Sequence, residues 1–289
     1  MVVGPVALNV VTDPEHGGRW TSLAGGGREW LWHRDEPRRA VVKPGDAFAD
    51  AGGLEECVPT VRGVPDHGDA WSRAWAEEPG AVHRVYCDDF ELARRTRIRD
   101  GVIVADYLLS AEPGYRFVWA AHALLDLSGQ ARLVATPGAR TRLFPEAAGY
   151  LGRPWPDQAP WIEGGWPDPA GLRLDTLGPE DGSAVGAAVF DSNASTATIL
   201  VSDGSDLLTM TVEAEAQPAA VALWRNLGGF PRPEPYRSIG VEPMLGRVFD
   251  LADAADGAGG ADADCAVTPA GGEVRWRLRI AAFRETEGS

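Results

Sequence analysis

Three side chains sit in surroundings that suit acid–base chemistry: His122, His67 and Glu242. His122 lies in Tyr115-Arg-Phe-Val-Trp-Ala-Ala-His-Ala-Leu-Leu-Asp-Leu127. In a strand, Tyr115, Phe117, Trp119, Leu125 and Leu127 form one bulky face, and Val118, Ala120, His122 and Leu124 the other. An ionisable ring beside a small alanine suits a ligand cleft; the plain alternative is a core histidine with both nitrogens satisfied. His67 follows Pro65-Asp66 and precedes Gly68, so it sits on a turn, where site residues concentrate. Trp71, Arg73 and Trp75 follow it. Flat apolar rings beside a polar donor match a sugar site, so these three are candidate substrate-binding residues; an ordinary turn histidine is the alternative. Glu242 precedes Pro243, which disfavours the α region and predicts an extended backbone. A carboxylate at the end of a strand, between Val241 and Pro243, loses part of its hydration, and its pKa moves toward that of a general base. A surface carboxylate is the competing reading.

Other chemistries lack their signatures. The five histidines show no i,i+4 or HxH spacing, and no acidic run follows a calcium-loop pattern, so no metal site is expected. There is no G-x-S-x-G nucleophile elbow. Gly25-Gly26-Gly27 precedes no helical pattern and reads as a turn rather than a phosphate cradle. The chain carries 42 acidic and 27 Lys and Arg residues, a net charge of −15. It repels phosphate backbones and anionic lipid surfaces, which argues against nucleic-acid or membrane partners and favours a neutral small-molecule ligand. Cys57, Cys87 and Cys265 are odd in number and have no CxxC spacing, the usage of a reduced, intracellular chain. The N-terminus lacks the basic region of a signal peptide, and no apolar run is long enough to span a bilayer, so a cytoplasmic protein is expected.

The elements that must position these residues are strands. In Glu273–Ile280, Val274, Trp276, Leu278 and Ile280 face one way and Arg275, Arg277 and Arg279 the other, the pattern of a half-buried strand. Asp100-Gly101 joins Arg95–Arg99 to Val102–Leu108 in a predicted two-residue hairpin. Pro137-Gly138 similarly separates Ala131–Thr136 from Ala139–Phe144, and Asp203–Asp206 separates Thr196–Ser202 from Leu207–Glu213. Only Gly246–Ala255 has room for a short helical turn, ended by Gly257, Gly259 and Gly260. The irregular stretch Gly149–Gly171 holds Trp155, Trp161 and Trp166; it is either a wall over a site or a packed Ω-loop. With 35 Gly and 22 Pro and no linker, the chain reads as one all-β domain over residues 1–289, a sandwich or barrel.

Together these segments resemble the aldose 1-epimerase, or galactose mutarotase-like, family over about residues 5–284. The likeness lies in Gly17-Gly-Arg-Trp-Thr-Ser-Leu with Gly27-Arg-Glu-Trp-Leu-Trp32, in Gly52-Gly-Leu-Glu-Glu-Cys-Val-Pro59, in Pro65-Asp-His-Gly68 followed by Trp75, in His122 after its aromatic approach, and in Gly240-Val-Glu-Pro243. The resemblance implies a large antiparallel twisted β-sandwich, or supersandwich, and a cofactor-independent exchange of α and β anomers of a hexose. It implies that Glu242 takes the C1 hydroxyl proton, His122 protonates the ring oxygen and His67 hydrogen-bonds the sugar. Many family members place an Arg four residues after the first His; here Trp71 stands there and Arg73 follows two later. Two alternatives share the fold: a sugar-binding protein without catalysis, and a 1-epimerase of a phosphorylated sugar, for which Arg62 and Arg73 are the nearby cations.

Overall fold

The computed structural model describes residues 2–191, 194–255 and 259–286. Their strands form two large antiparallel sheets, one of nine strands and one of ten. In the nine-stranded sheet the order runs Arg132–Ala135, Thr196–Asp203, Asp206–Ala214, Glu273–Thr286, Val102–Ala111, Phe90–Arg99, Val82–Tyr86 and Ala76–Glu78, with Val2–Val6 paired to the far end of Glu273–Thr286. The site-bearing sheet has at its centre Ala184–Phe190, Ala219–Phe230, Tyr236–Leu245, Trp119–Leu125 and Leu54–Cys57.

Side-chain alternation explains the layering. Glu273–Ile280 alternates strictly between exposed and buried positions, so one face meets the core and the other water. The main core lies between the sheets: Leu92, Ile103, Leu109, Leu278 and Ile280 meet Trp20, Leu54, Trp119, Leu125, Leu223 and Val241. The Trp119–Leu125 strand is buried on both faces. Its odd-numbered residues enter the main core, while Val118 and Ala120 join a second apolar cluster with Cys57, Ala188, Ala220, Ala222, Met244 and Phe249. His122 shares parity with this second face. The alanines leave space there that larger residues would fill.

The Asp100-Gly101 turn closes a two-residue hairpin, with φ of 51° and 78°, the left-handed pair of a type I′ turn. Thr196–Asp203 and Asp206–Ala214 also pair as a hairpin. Pro137-Gly138 separates two strands as expected, but Arg132–Ala135 and Arg140–Leu143 belong to different sheets, so this turn carries the chain across the sandwich. The Gly149–Gly171 stretch is a packed loop. Trp155 and Trp166 lie against the main core and Trp161 against the second cluster, and Ile162–Gly165 pairs with Arg140–Leu143. The helical turn expected near residue 250 is the 3-10 segment Leu251–Asp253; Gly257 falls outside the described residues. No helix among them is long and apolar enough to cross a membrane.

Candidate functional site

The Glu242 and His122 strands are neighbours. Their register pairs Ala120 with Met244 and Leu124 with Gly240, which sets His122 opposite Glu242, and Pro243 can offer no amide to the ladder there. His122 Nε2 lies 3.7 Å from Glu242 Oε1. That gap is too long for a direct hydrogen bond, so both groups remain able to reach a third atom. Glu242 is not at a strand end, as its sequence suggested; it lies inside Tyr236–Leu245 and is 2% exposed. Burial pushes its carboxyl up to about 7, with His122 pulling it down and Asp50 pushing it up.

The His67 turn is fastened beside this pair. Asp69 N donates to Val58 O at 2.7 Å, and Val118 N donates to Pro59 O at 2.8 Å, so the loop packs along the chain that follows Leu54–Cys57. His67 itself has a left-handed φ of 59°, which non-glycine residues rarely adopt. At Gly68, φ is 77° and a side chain would overlap the Val58 carbonyl, so only glycine fits. The His67 and His122 ring centres are 5.1 Å apart. His67 Nδ1 lies 2.8 Å from Asp66 Oδ1. Burial alone would raise the Asp66 carboxyl, but the hydrogen bond and charge of His67 outweigh it and hold it below its ordinary value.

His67, His122 and Glu242 line one cavity of about 480 Å³, within the roughly 300–1,000 Å³ range of small-molecule sites. Phe48, Trp224, Phe230, Tyr236 and Phe249 supply aromatic walls, and Arg34, Asp50 and Arg62 supply polar edges. Tyr236 donates its hydroxyl proton to Asp50, and the Arg34 guanidinium lies 4.3 Å from the centre of the Tyr236 ring. Arg62 is ion-paired with Glu146. Among the described residues no group of three His, Cys, Asp or Glu side chains is placed to hold a metal ion.

No protein-family model matches the chain, and no curated protein matches it in sequence. Solved structures do. Slr1438 from Synechocystis sp. PCC 6803 is 14% identical, with a TM-score of 0.65 over 98% of this chain and 96% of that one. A galactose mutarotase related enzyme from Lactobacillus acidophilus is 13% identical, with a TM-score of 0.62 over 98% and 96%. A candidate aldose 1-epimerase from Escherichia coli K12 is 11% identical, with a TM-score of 0.62 over 97% and 100%. The fold is galactose mutarotase-like.

Within this galactose mutarotase-like sandwich, the three residues singled out for acid–base chemistry converge, and the three singled out for substrate binding do not line the cavity. Trp71 is buried, donates its indole N–H to Asp66 O at 3.1 Å and meets Phe48 edge-on. Trp75 is buried against Gly18 and Arg94 and donates to Ala70 O. Arg73 turns to Asp88, 3.3 Å away. These aromatics support the His67 loop from behind. Of the aromatic residues that do line the cavity, Phe230 and Tyr236 flank a Pro-rich turn and Phe48 belongs to the irregular run before Asp50, where strand periodicity carries no signal; Trp224 sits within the strand Ala219–Phe230 and Phe249 follows Tyr236–Leu245.

Proposed function

We propose that the chain is an aldose 1-epimerase-like isomerase acting on a small sugar, with Glu242 and His122 as its acid–base pair. One contrast carries this reading. Glu55, Glu56 and Glu242 are all buried. Glu55 meets the Arg39 guanidinium and Glu56 that of Arg94. Among the described residues, the cationic partner that faces Glu242 is an imidazole, across an open gap at the cavity. A buried carboxylate with a permanent cation is a structural ion pair; one facing a titratable partner can exchange a proton.

In the proposed reaction Glu242 takes the proton of the C1 hydroxyl while His122 gives one to the ring oxygen. The C1–O5 bond breaks, leaving an open-chain aldehyde. Rotation about C1–C2 presents the other carbonyl face, and ring closure returns both protons. His67 hydrogen-bonds the sugar and opposes charge build-up. No net charge or electron leaves the site. A carboxyl near 7 suits this two-way traffic, since donor and acceptor must exchange roles at one pH. The aromatic walls offer flat faces to a pyranose.

The test is polarimetry of a freshly dissolved anomer. Glu242→Gln and His122→Ala each lower the equilibration rate by at least about 10². Wild-type rates in both variants would remove the assignment. Saturable sugar binding by the wild type with no rate above buffer would instead favour a binding protein. Arg62 at the cavity keeps a phosphorylated sugar as a second reading, and comparing a free hexose with its 6-phosphate separates the two. Arg73 faces Asp88 rather than the cavity and takes no part in that reading.

A further inference from the structure

We infer that Asp66 is a positioning residue that fixes which nitrogen His67 presents to the sugar. The inference rests on the epimerase reading only for its effect on rate; its effect on the imidazole stands alone.

The two oxygens of Asp66 have different duties. Oδ1 lies 2.8 Å from His67 Nδ1. Oδ2 accepts the backbone N–H of Phe48 at 3.1 Å. The ring of Phe48 then stacks on the His67 imidazole, with centres 3.7 Å apart and planes within 10°. One carboxylate therefore grips the histidine at its edge and also holds the aromatic residue that covers its face. Trp71 completes the support, donating to the Asp66 carbonyl and meeting Phe48 edge-on at 4.9 Å. A carboxylate can only accept, so Nδ1 must carry a proton. Nε2 is then the nitrogen left for the cavity, as a lone pair in the neutral ring and as a donor in the charged one.

This arrangement makes Asp66→Asn informative. The Phe48 amide is a donor and demands the side-chain oxygen of Asn. The Asn NH2 is then turned toward His67 Nδ1, which must become an acceptor. The neutral ring is driven to its other tautomer, with the proton on Nε2. Asp66→Glu keeps an acceptor-only group and keeps the proton on Nδ1.

Long-range proton–nitrogen correlation spectra of His67, taken at about pH 9 where an ordinary imidazole is neutral, distinguish the tautomers directly. The wild type and Asp66→Glu show the proton on Nδ1; Asp66→Asn shows it on Nε2. Polarimetry of Asp66→Asn shows kcat lowered by about 10–100-fold with KM changed by less than about threefold, because binding surfaces persist and the proton arrangement does not. A wild-type ring protonated on Nε2, or an Asp66→Asn ring that keeps the wild-type tautomer, overturns the inference. So does an inverted tautomer with undiminished kcat. A wild type that never outpaces buffer defeats the epimerase reading, while the spectra still decide whether Asp66 orients His67.

Discussion

At the scale of single residues, Glu242 shows how burial sets chemistry against stability. Its carboxyl is moved up to about 7, chiefly because leaving water penalises the charged form. As the base of the proposed reaction it must be ionised, so the acid limb of the rate profile rises with pH through about 7. Stability moves the other way. Below about 4.5, the group's ordinary value, it is protonated in both folded and unfolded chains and contributes no pH dependence. Between about 4.5 and 7 the unfolded chain has released the proton while the folded chain still holds it, so stability falls as pH rises. Above about 7 the loss is complete and is on the order of 3 kcal/mol. Glu242→Gln removes the ionisation while keeping the shape. The variant is therefore inactive yet more stable than the wild type at about pH 8, by roughly 1–3 kcal/mol, and no more stable near pH 4. Urea unfolding at the two pH values checks this; equal stability at the higher pH would mean the folded protein does not resist that charge.

At the scale of elements, the Tyr236–Leu245 strand depends on a residue with no side chain. Gly240 lies two positions before Glu242, on the same face of the strand. A methyl group at Gly240 would overlap Glu242 Oε1 and approach Trp224 Cβ to 3.0 Å. Gly240→Ala therefore turns the carboxylate away from His122. It lowers kcat by at least about tenfold with less than about 1 kcal/mol lost in unfolding free energy, because the flexible glutamate gives way rather than the backbone; an unchanged rate would show that the carboxylate has other room. The strand and its glutamate were legible in Gly240-Val-Glu-Pro243, and the parity of His122 followed from its aromatic approach. Asp100-Gly101 named its hairpin because the turn type is a property of two residues. Other assignments failed where the answer lies far away in the chain. Pro137-Gly138 marks a turn equally well within a sheet or between sheets, and only pairing with Thr196–Asp203 and Ala184–Phe190 decides which. Spacing set Trp71 and Trp75 near His67 but could not tell the cavity side of the loop from its packed side. Phe48, Asp50 and Tyr236 come from irregular or proline-rich segments, which carry no period to read. The placement of Glu242 inside a strand was missed for a related reason, since Pro243 reads locally as an edge while the interrupted ladder beside His122 accommodates it.

At the scale of the whole molecule, the two sheets are joined by a buried polar cluster as well as by apolar packing. Glu55 and Glu56 are consecutive and point to opposite faces of their strand. Glu55 pairs with Arg39 behind the His67 loop, with Nε–Oε1 and Nη2–Oε2 distances of 2.7 and 2.9 Å. Glu56 points into the core. Its Oε1 accepts from Arg94 at 2.6 Å and Tyr107 at 2.9 Å, and its Oε2 accepts from Trp119 at 2.7 Å. Arg94 and Tyr107 come from the nine-stranded sheet, Glu56 and Trp119 from the ten-stranded one. Burial, and then the Glu56 charge, drive the Tyr107 hydroxyl well above its ordinary pKa, so it stays a donor. Arg94 also donates to Gly18 O at 2.5 Å. Both charged side chains have 0% exposure, so removing one strands the other in a medium that cannot solvate it. Arg94→Met should cost about 3–5 kcal/mol for that reason. Adding Glu56→Gln to it removes the stranded charge, and the amide oxygen still accepts from Tyr107 or Trp119. The double variant is therefore less destabilised than the sum of the two singles by at least about 1 kcal/mol. Denaturant unfolding of the four proteins closes this cycle. Additive losses would mean that Glu56 and Arg94 act independently, and that their pairing adds nothing to the hold between the sheet carrying His122 and Glu242 and the sheet behind it.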